Sequence, residues 1–206
     1  IGPFALFEAV NETAAWSAFR GRAEGYPEDK LVRVLSPAVP LDEERAARLR
    51  ARIAHLRGSA SPRLVRYESL ERDADGTWFV VSEWVGCTTW GDVTGERLFR
   101  DPRRKRVWVD LFAAMAEALD ALHRTGQIAP GLKLADFLPI RLPDGRFDVK
   151  LDCSLTPFLQ TPDGRNPATQ HPDARGQHAF DVRSDLWTLG TLFIDLAAGV
   201  HPPDGN

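Results

Sequence analysis

The segment from residue 180 to 203, FDVRSDLWTLGTLFIDLAAGVHPP, constrains the fold of this chain more than any other stretch. A helix drawn through it is apolar around most of its circumference, with Thr188, Thr191 and Asp195 as interruptions. A helix that is apolar nearly all round is a buried one. At about fifteen residues with an internal aspartate, it is too short and too polar to span a membrane. We therefore expect it to be the most buried element of a globular lobe. Its apolar positions are Leu186, Trp187, Leu189, Leu192, Phe193, Ile194 and Leu196.

The ends of this helix carry recognisable start and stop signals. Ser184 is a good N-cap, Asp185 lies at the positive end of the helix dipole, and Gly199 begins a stop that includes two prolines. The pattern S-D-L-W-T-L-G inside it resembles the central helix, αF, of eukaryotic-type protein kinases. The C-terminal lobe of those enzymes is assembled around that helix, so the resemblance predicts a kinase-like lobe here.

Composition limits the classes of function that the chain can have. The chain has 206 residues, 43% apolar and 27% charged, which is enough to bury a core. Its net charge of −3 does not favour nucleic acid or anionic lipid as a partner. Cys87 and Cys153 make no disulfide framework and no leader precedes the first strand, so we expect a reducing cytosol. Because the chain starts at Ile1 and its only methionine is Met115, we expect it to be an excised domain.

Residues 1–19 read as strand, turn and strand, and KLVRVLSP follows as a buried strand. This beginning, IGPF included, resembles the start of a bacterial serine/threonine kinase domain. In that family a glycine-rich hairpin covers the ATP phosphates, because glycine lets backbone N–H groups approach oxygen closely. The three glycine positions correspond to Asn11, Thr13 and Trp16, and an indole there would obstruct phosphate binding. We therefore expect an ordinary hairpin in place of a phosphate cradle.

The lysine that contacts ATP in the family corresponds to Arg33. Arginine keeps the charge but brings a wider, planar head, so it does not replace a lysine conservatively. A helix is predicted from Asp42 to Arg57, and the family's glutamate partner of that lysine should fall at residues 49–52. No acid occurs between Arg45 and Arg57, so the usual lysine–glutamate pair cannot form. The helix also carries a basic face, for which solvation is favoured over specific anion binding. Its members are Arg45, Arg48 and Arg52.

The next two strands flank the turn DADG, and the second resembles the strand that leads into the kinase hinge. It places Ser82 at the gatekeeper position and Glu83, Trp84 and Val85 in the hinge. Hinge contacts to adenine use backbone groups, so side-chain divergence does not exclude a nucleotide. The alternative nucleotide site implied by the resemblance consists of Arg33, Glu83, Val85 and Lys133.

A long amphipathic helix ending at His123 precedes the segment where active kinases carry H-R-D-L-K-x-x-N. Here Lys133 and Asp136 keep the family spacing, but Gly131 replaces the catalytic aspartate. Glycine neither accepts a proton nor positions a hydroxyl. Pro130 removes one backbone N–H, which should cost the network around Asp185 a donor.

A hairpin with Asp144-Gly145 as its turn leads to Asp152, in the place of the family's metal-binding D-F-G aspartate. A shift of one residue would put Cys153 there instead, as a small buried hydrophobe. Asp136 and Asp152 are the candidate magnesium ligands, fewer than a metal site needs without substrate phosphates. His171-Pro172-Asp173 resembles A-P-E. The segment before it holds Thr156, Thr161 and Thr169, and an unmodified loop is favoured there over phosphorylation of Thr161 or Thr169. The remaining histidines show no metal-ligand spacing.

The resemblance covers the whole chain and predicts an α+β, kinase-like fold of two lobes. Residues 1–85 would form a β-rich lobe with one αC-like helix, and residues 86–206 a mainly helical lobe that is truncated after the αF-like helix. The first expectation is a bacterial, cytoplasmic pseudokinase that acts in signalling by binding proteins such as a companion kinase or a phosphothreonine-reading domain. No cofactor is expected in that case. The alternatives are a divergent ATP-dependent kinase or phosphotransferase that rebuilds its site from Lys133, Asp136 and Asp152, and an ATP-binding switch without turnover.

Overall fold

The computed structural model describes residues 1–39, 41–59, 61–86, 88–94, 105–152 and 181–197. The chain divides into two compact units, one of residues 1–60 and 65–87, the other of residues 61–64 and 88–205. The sequence placed the boundary after residue 85 and gave no sign that residues 61–64 join the second unit. The first unit is built on a β-sheet and the second mainly on helices, which confirms the predicted α+β class.

The first unit contains a five-stranded sheet in which all neighbouring strands are antiparallel. The strand order is β1-β2-β3-β5-β4. Tight turns set the hairpins: Gly76 takes a φ of 90° in the β4–β5 turn, where a side chain would be strained. The strands are β1 (Phe4–Glu12), β2 (Trp16–Ala23), β3 (Lys30–Leu35), β4 (Tyr67–Arg72) and β5 (Trp78–Glu83).

Helix α1 (Glu43–Ser59) packs beside β4, and the Asp42 side chain caps its first turn by accepting the Arg45 N–H at 2.8 Å. Its predicted apolar stripe is confirmed, because Leu49, Ile53 and Leu56 are buried. A separate cluster of Val32, Phe79 and Val81 is packed by residues that include Ile1 and Phe4. The N-terminal residues therefore contribute to the core of this unit.

Charged side chains hold the loop between β2 and β3. The Asp29 carboxylate accepts the Nε of Arg20 at 2.7 Å and the Nε of Arg22 at 2.8 Å. Hydrogen bonds from Arg22 and Arg20 keep the pKa of Asp29 below its ordinary value. Burial lowers the pKa of Lys30, but its hydrogen bonds to Glu68 and Glu28 outweigh that effect and leave the pKa raised. These pairs fix the loop at the start of β3.

The second unit is organised around a long helix, α3 (Lys105–His123), with a β-hairpin packed on it. Residues 61–64 belong to this unit because Leu64 bridges to Leu151 and the Leu151 N–H donates to the Arg63 carbonyl at 2.8 Å. The Arg63 side chain also pairs with Asp148 and Glu117. The described elements are α2 (Trp90–Thr94), α3 (Lys105–His123), a 3-10 turn (Leu134–Asp136), β6 (Phe137–Arg141), β7 (Phe147–Leu151) and α4 (Val182–Ala197).

Helix α4 is buried on one side, and its other side carries exposed apolar side chains that the expectation of a buried helix did not include. Leu189, Leu192 and Leu196 are buried, whereas Leu186 is 53% exposed and Ile194 is 66% exposed. Trp187 is also 48% exposed. Apolar periodicity reports what a helix is able to bury, but burial also needs a neighbouring element on each side. Helix α3 packs against α4.

The start of α4 also differs from the prediction. The cap is Asp181, whose Oδ1 accepts the N–H groups of Arg183 at 2.8 Å and Ser184 at 3.3 Å. Ser184 lies inside the first turn and is not the N-cap, because Asp181, an equally favoured capping residue, accepts the first N–H groups of the helix three positions earlier. The predicted stop at Gly199 lies outside the described residues. Within the described part of the chain, no helix is long and apolar enough to cross a membrane.

Candidate functional site

The loop where kinases hold their catalytic residues is anchored in the second unit by one buried carboxylate. Asp185, near the start of α4, is 2% exposed. Its Oδ2 accepts the Ala129 N–H at 2.8 Å and lies 2.8 Å from Nε2 of His123, the last residue of α3. Hydrogen bonds to a buried charged group are among the stronger ones in proteins. Asp185 therefore ties the end of α3 and the start of the loop to α4.

The loop itself has glycine where active kinases carry the catalytic aspartate. Gly131, at the place of the catalytic aspartate, has a φ of 78°, a left-handed backbone conformation that side chains other than glycine rarely adopt. Leu132 and Leu134 are buried, and the Leu132 N–H bonds to the Ala129 carbonyl at 3.1 Å. Contacts on both sides of residue 131 therefore support the loop. The positive φ at that residue favours glycine.

Lys133 and Asp136 keep their family spacing, yet they serve the loop's own backbone. The Asp136 Oδ2 accepts the Lys133 N–H at 2.7 Å, and the Lys133 side chain is exposed. This hydrogen bond caps the 3-10 turn of residues 134–136. The predicted nucleotide contact of Lys133 therefore stays a prediction.

The two candidate metal ligands, Asp136 and Asp152, are adjacent through the backbone, because the Asp152 N–H donates to the Asp136 carbonyl at 2.7 Å. No group of three His, Cys, Asp or Glu side chains comes together to hold a metal among the residues that the structure describes. One of the two carboxylates is also engaged by the Lys133 N–H. This donor set does not fit a magnesium ion on its own, since magnesium prefers near-octahedral oxygen coordination.

In the first unit, the β1–β2 turn is closed by its own hydrogen bonds. The Thr13 Oγ1 accepts the N–H groups of Ala15 at 3.2 Å and Trp16 at 3.1 Å, while the Thr13 N–H donates to the Trp16 carbonyl at 2.8 Å. The Ala15 carbonyl accepts the Ser36 N–H at 2.8 Å. Three N–H groups of the turn, those of Thr13, Ala15 and Trp16, are therefore engaged within the turn itself.

Arg33 directs its guanidinium into the first unit. Its Nη1 donates to the gatekeeper hydroxyl, Ser82 Oγ, at 3.2 Å, and its Cζ lies 5.8 Å from the centroid of the Tyr67 ring. Arg33 is 6% exposed, and Ser82 and Tyr67 are buried. The acids of α1 are confined to its first turn, so the helix offers no carboxylate at residues 49–52. These contacts hold the Arg33 guanidinium against Ser82 and Tyr67.

The hinge retains part of what adenine binding needs. The Glu83 backbone N–H donates to the Arg66 carbonyl at 2.9 Å, and the Glu83 carboxylate accepts the Arg66 N–H at 2.8 Å. Glu83 is therefore engaged by the neighbouring chain. The half-buried Val85 makes no hydrogen bond within the described residues, which leaves its backbone groups available.

The sequence predicted a structural or solvated role for His123, and its contact with Asp185 is structural, but the partner was not predicted. A signal was present: a histidine in the last turn of a buried helix can reach a carboxylate placed at the start of another helix. Several predicted residues lie outside the described part of the chain, and their roles stay predictions. They are Cys87, Cys153, Thr156, Thr161, Thr169 and the segment from His171 to Asp173.

Two curated proteins show sequence similarity to this chain. Mitogen-activated protein kinase kinase kinase mom-4 of Caenorhabditis briggsae is 26% identical over 148 residues, which cover 69% of this chain and 26% of that protein. Probable serine/threonine-protein kinase CPE1738 of Clostridium perfringens is 21% identical over 208 residues, covering 98% of this chain and 30% of that protein. The chain thus spans about a third or less of the length of these relatives. No family profile matches it.

Solved structures show the fold. The PknI kinase domain of Mycobacterium tuberculosis superposes with a TM-score of 0.72 at 20% identity, covering 99% of this chain and 77% of that one. A double mutant of the same domain gives a TM-score of 0.74 at 20% identity, covering 98% and 78%. The chain has a protein-kinase fold, and the predicted resemblance to serine/threonine kinases is confirmed. Neither comparison bears on whether it transfers phosphate.

Proposed function

We propose that this domain is a pseudokinase, a kinase-like module that does not transfer phosphate and acts by binding other proteins. The observation that carries the proposal is Gly131, which supplies no carboxylate and has a φ of 78°. Aspartate tolerates a positive φ better than most residues, but less well than glycine. The backbone of the loop therefore favours glycine at this position.

Two features of the first unit support the same proposal. Thr13 and the Trp16 carbonyl occupy backbone donors of the β1–β2 turn. Arg33 is held by Ser82 and Tyr67 inside its own unit. Phosphate positioning and charge neutralisation supply most of kinase catalysis, so both losses bear on the same transition state.

The preserved part of the site favours an interaction role. The Asp185 anchor holds the loop in a defined conformation although the loop lacks its catalytic aspartate. A kinase fold that has no reacting groups can still present a surface that binds other proteins. We place the domain in signalling, in a bacterial cytoplasm, with a companion kinase or a phosphothreonine-reading domain as partner. Phosphorylation of Thr161 or Thr169 would create the site for such a reader.

A direct test is phosphate transfer from radiolabelled ATP with magnesium or manganese, to the domain itself and to generic protein substrates. We expect background labelling from the wild type and from Gly131→Asp, because that substitution restores one carboxylate in a strained backbone and leaves Arg33 and the turn unchanged. Asp152→Ala serves as the control. Labelling by the wild type clearly above that control would show a rebuilt-site enzyme and end the pseudokinase proposal.

The available backbone of Val85 favours a second candidate, an ATP-binding switch without turnover. Thermal unfolding with and without ATP plus magnesium separates the two, because a ligand that binds the folded state raises Tm by mass action. A saturable rise in Tm that is lost with Val85→Pro, which removes the hinge N–H, would favour the switch. An unchanged Tm at millimolar ATP would favour the pure interaction module.

A further inference from the structure

A cluster of arginines lies on the first unit where α1 meets the β4–β5 hairpin. The Cζ of Arg50, from α1, lies 5.1 Å from the centroid of the Trp78 ring, and the Cζ of Arg72, from β4, lies 5.4 Å from it. Cation–π contacts of this kind hold a guanidinium against an indole. We name Arg50, Arg72 and Trp78, together with Glu43, the α1–β4 arginine cluster.

Backbone contacts fix the two guanidinium groups further. The Arg50 Nε donates to the Leu70 carbonyl at 3.4 Å, and the Arg72 Nε donates to the Gly76 carbonyl at 2.9 Å. Each side chain thus uses its Nε and its flat face internally. The terminal nitrogens are left to meet an anion, and a guanidinium presents them in a fork that matches carboxylate and phosphate oxygens.

The anion that these nitrogens meet in the structure is Glu43. Its Oε2 lies 3.7 Å from Arg50 Nη1, and its Oε1 lies 3.8 Å from Arg72 Nη1. Both distances are longer than hydrogen bonds, and the Glu43 side chain is 70% exposed. Exposed ion pairs of this kind add little stability. Glu43 is therefore a weakly held occupant between two guanidinium groups that other contacts keep in place.

We propose that the α1–β4 arginine cluster binds a phosphorylated side chain of a protein partner, in place of Glu43. A phosphate monoester carries close to two negative charges and three acceptor oxygens, so it competes well with a single carboxylate. The inference rests on the interaction role proposed above and names a partner chemistry for it.

The surrounding acids favour a single phosphate group over an anionic membrane. Glu71, Asp73 and Asp75 lie on the same hairpin and engage local donors, Ser69, Ala74 and Thr77. Hydrogen bonds from Thr77 hold the pKa of Asp75 below its ordinary value, so the carboxylate stays charged. An extended anionic surface would also meet the carboxylates of this hairpin, whereas one phosphate on a peptide can contact the two arginines alone.

The test follows the indole N–H resonance of Trp78, assigned with Trp78→Phe, during titration with a short alanine-based peptide that carries one central phosphothreonine. We expect saturable shifts that the unphosphorylated peptide does not produce. Arg50→Gln and Arg72→Gln should each weaken binding about tenfold, as loss of a charge-assisted hydrogen bond does. Glu43→Gln should strengthen it by up to about fivefold, because it removes the competing carboxylate.

The matched control is Arg48→Gln, an exposed arginine of the same helix that pairs with Glu44 at 2.9 Å. We expect it to leave the affinity within about twofold of the wild type, as screened surface charges do. If Arg48→Gln and Arg50→Gln lose the same affinity for the phosphopeptide, the effect comes from the net charge of the helix, and the proposal is overturned. Binding of inorganic phosphate as tight as the phosphopeptide, or binding to phosphatidylserine vesicles without binding to the peptide, would also overturn it.

The binding test still gives a result if an arginine variant does not fold. If an arginine variant fails to fold by circular dichroism, the gain expected from Glu43→Gln decides the matter, because that side chain supports little structure. An unchanged or weaker affinity in Glu43→Gln would contradict the proposal. The binding experiment uses no ATP, so its failure is distinguishable from a failure of the pseudokinase proposal, which the labelling assay alone measures.

Discussion

The catalytic-loop region of the second unit and the β1–β2 turn of the first unit depart from the kinase pattern in different ways. In the second unit a buried carboxylate, Asp185, still fixes the loop, while Ala129, Pro130 and Gly131 stand where active kinases carry H-R-D. In the first unit the backbone donors have turned inward, onto Thr13 and the Trp16 carbonyl. Loss of a buried hydrogen-bond acceptor is costly because its donors are left buried without a partner. In a partly exposed turn, by contrast, a side-chain hydroxyl can replace water or a ligand as the acceptor.

The largest effect in this comparison is expected in α4, which carries the buried support. Leu189→Ala should lower the free energy of unfolding by about 2–5 kcal/mol, because Leu189 is 3% exposed and a cavity would remain. Ile194→Ala on the same helix should change it by about 0.5 kcal/mol or less, as is usual for exposed positions. Urea unfolding of both variants measures the difference. Equal losses would show that the two faces of α4 are equally buried and that the exposed face assigned to it is wrong.

The Asp185 anchor should give the next largest effect. Asp185→Ala leaves the Ala129 N–H and His123 without their acceptor, which should cost about 1.5–3 kcal/mol. Amide hydrogen exchange at Ala129 should accelerate in this variant, since the N–H loses its protection. Asp120→Ala is the control, because that carboxylate pairs with Arg124 on the surface of α3 and should contribute less than about 1 kcal/mol. Unchanged exchange at Ala129 would show that the loop is held by packing and not by Asp185.

Much of the fold could be predicted from the sequence, and much of the site could not, for a physical reason. Turn signals such as Asp144-Gly145 and the apolar stripe of α1 are local, so the hairpins and the helix follow from them. Three features depend on residues that lie far apart in the chain. They are the exposed face of α4, the contact of Arg33 with Ser82, and the contact between His123 and Asp185. The sequence pattern indicates which side chains are present, but tertiary packing determines which of them come into contact.

The placement of residues 61–64 makes the same point. Arg63 lies in a stretch of sequence that separates α1 from β4, both in the first unit, yet its contacts to Leu151, Asp148 and Glu117 place it in the second. Nothing local distinguishes it from other surface arginines. The α4 cap was a nearer miss, since Asp181 and Ser184 both favour an N-cap and the sequence alone ranks them closely.

The smallest effect on the free energy of unfolding is expected in the β1–β2 turn of the first unit. Thr13→Val removes the hydroxyl that accepts the Ala15 and Trp16 N–H groups, so we expect a loss of about 0.5–1.5 kcal/mol and faster amide exchange at both residues. Thr13→Ser keeps the hydroxyl and should retain slow exchange. Because the turn is only partly buried, water replaces the lost acceptor, which is why the cost stays below that of Asp185→Ala. If Thr13→Val exchanges as slowly as Thr13→Ser, the turn is not closed by its side chain, its donors are available to a ligand, and the contrast between the two regions disappears.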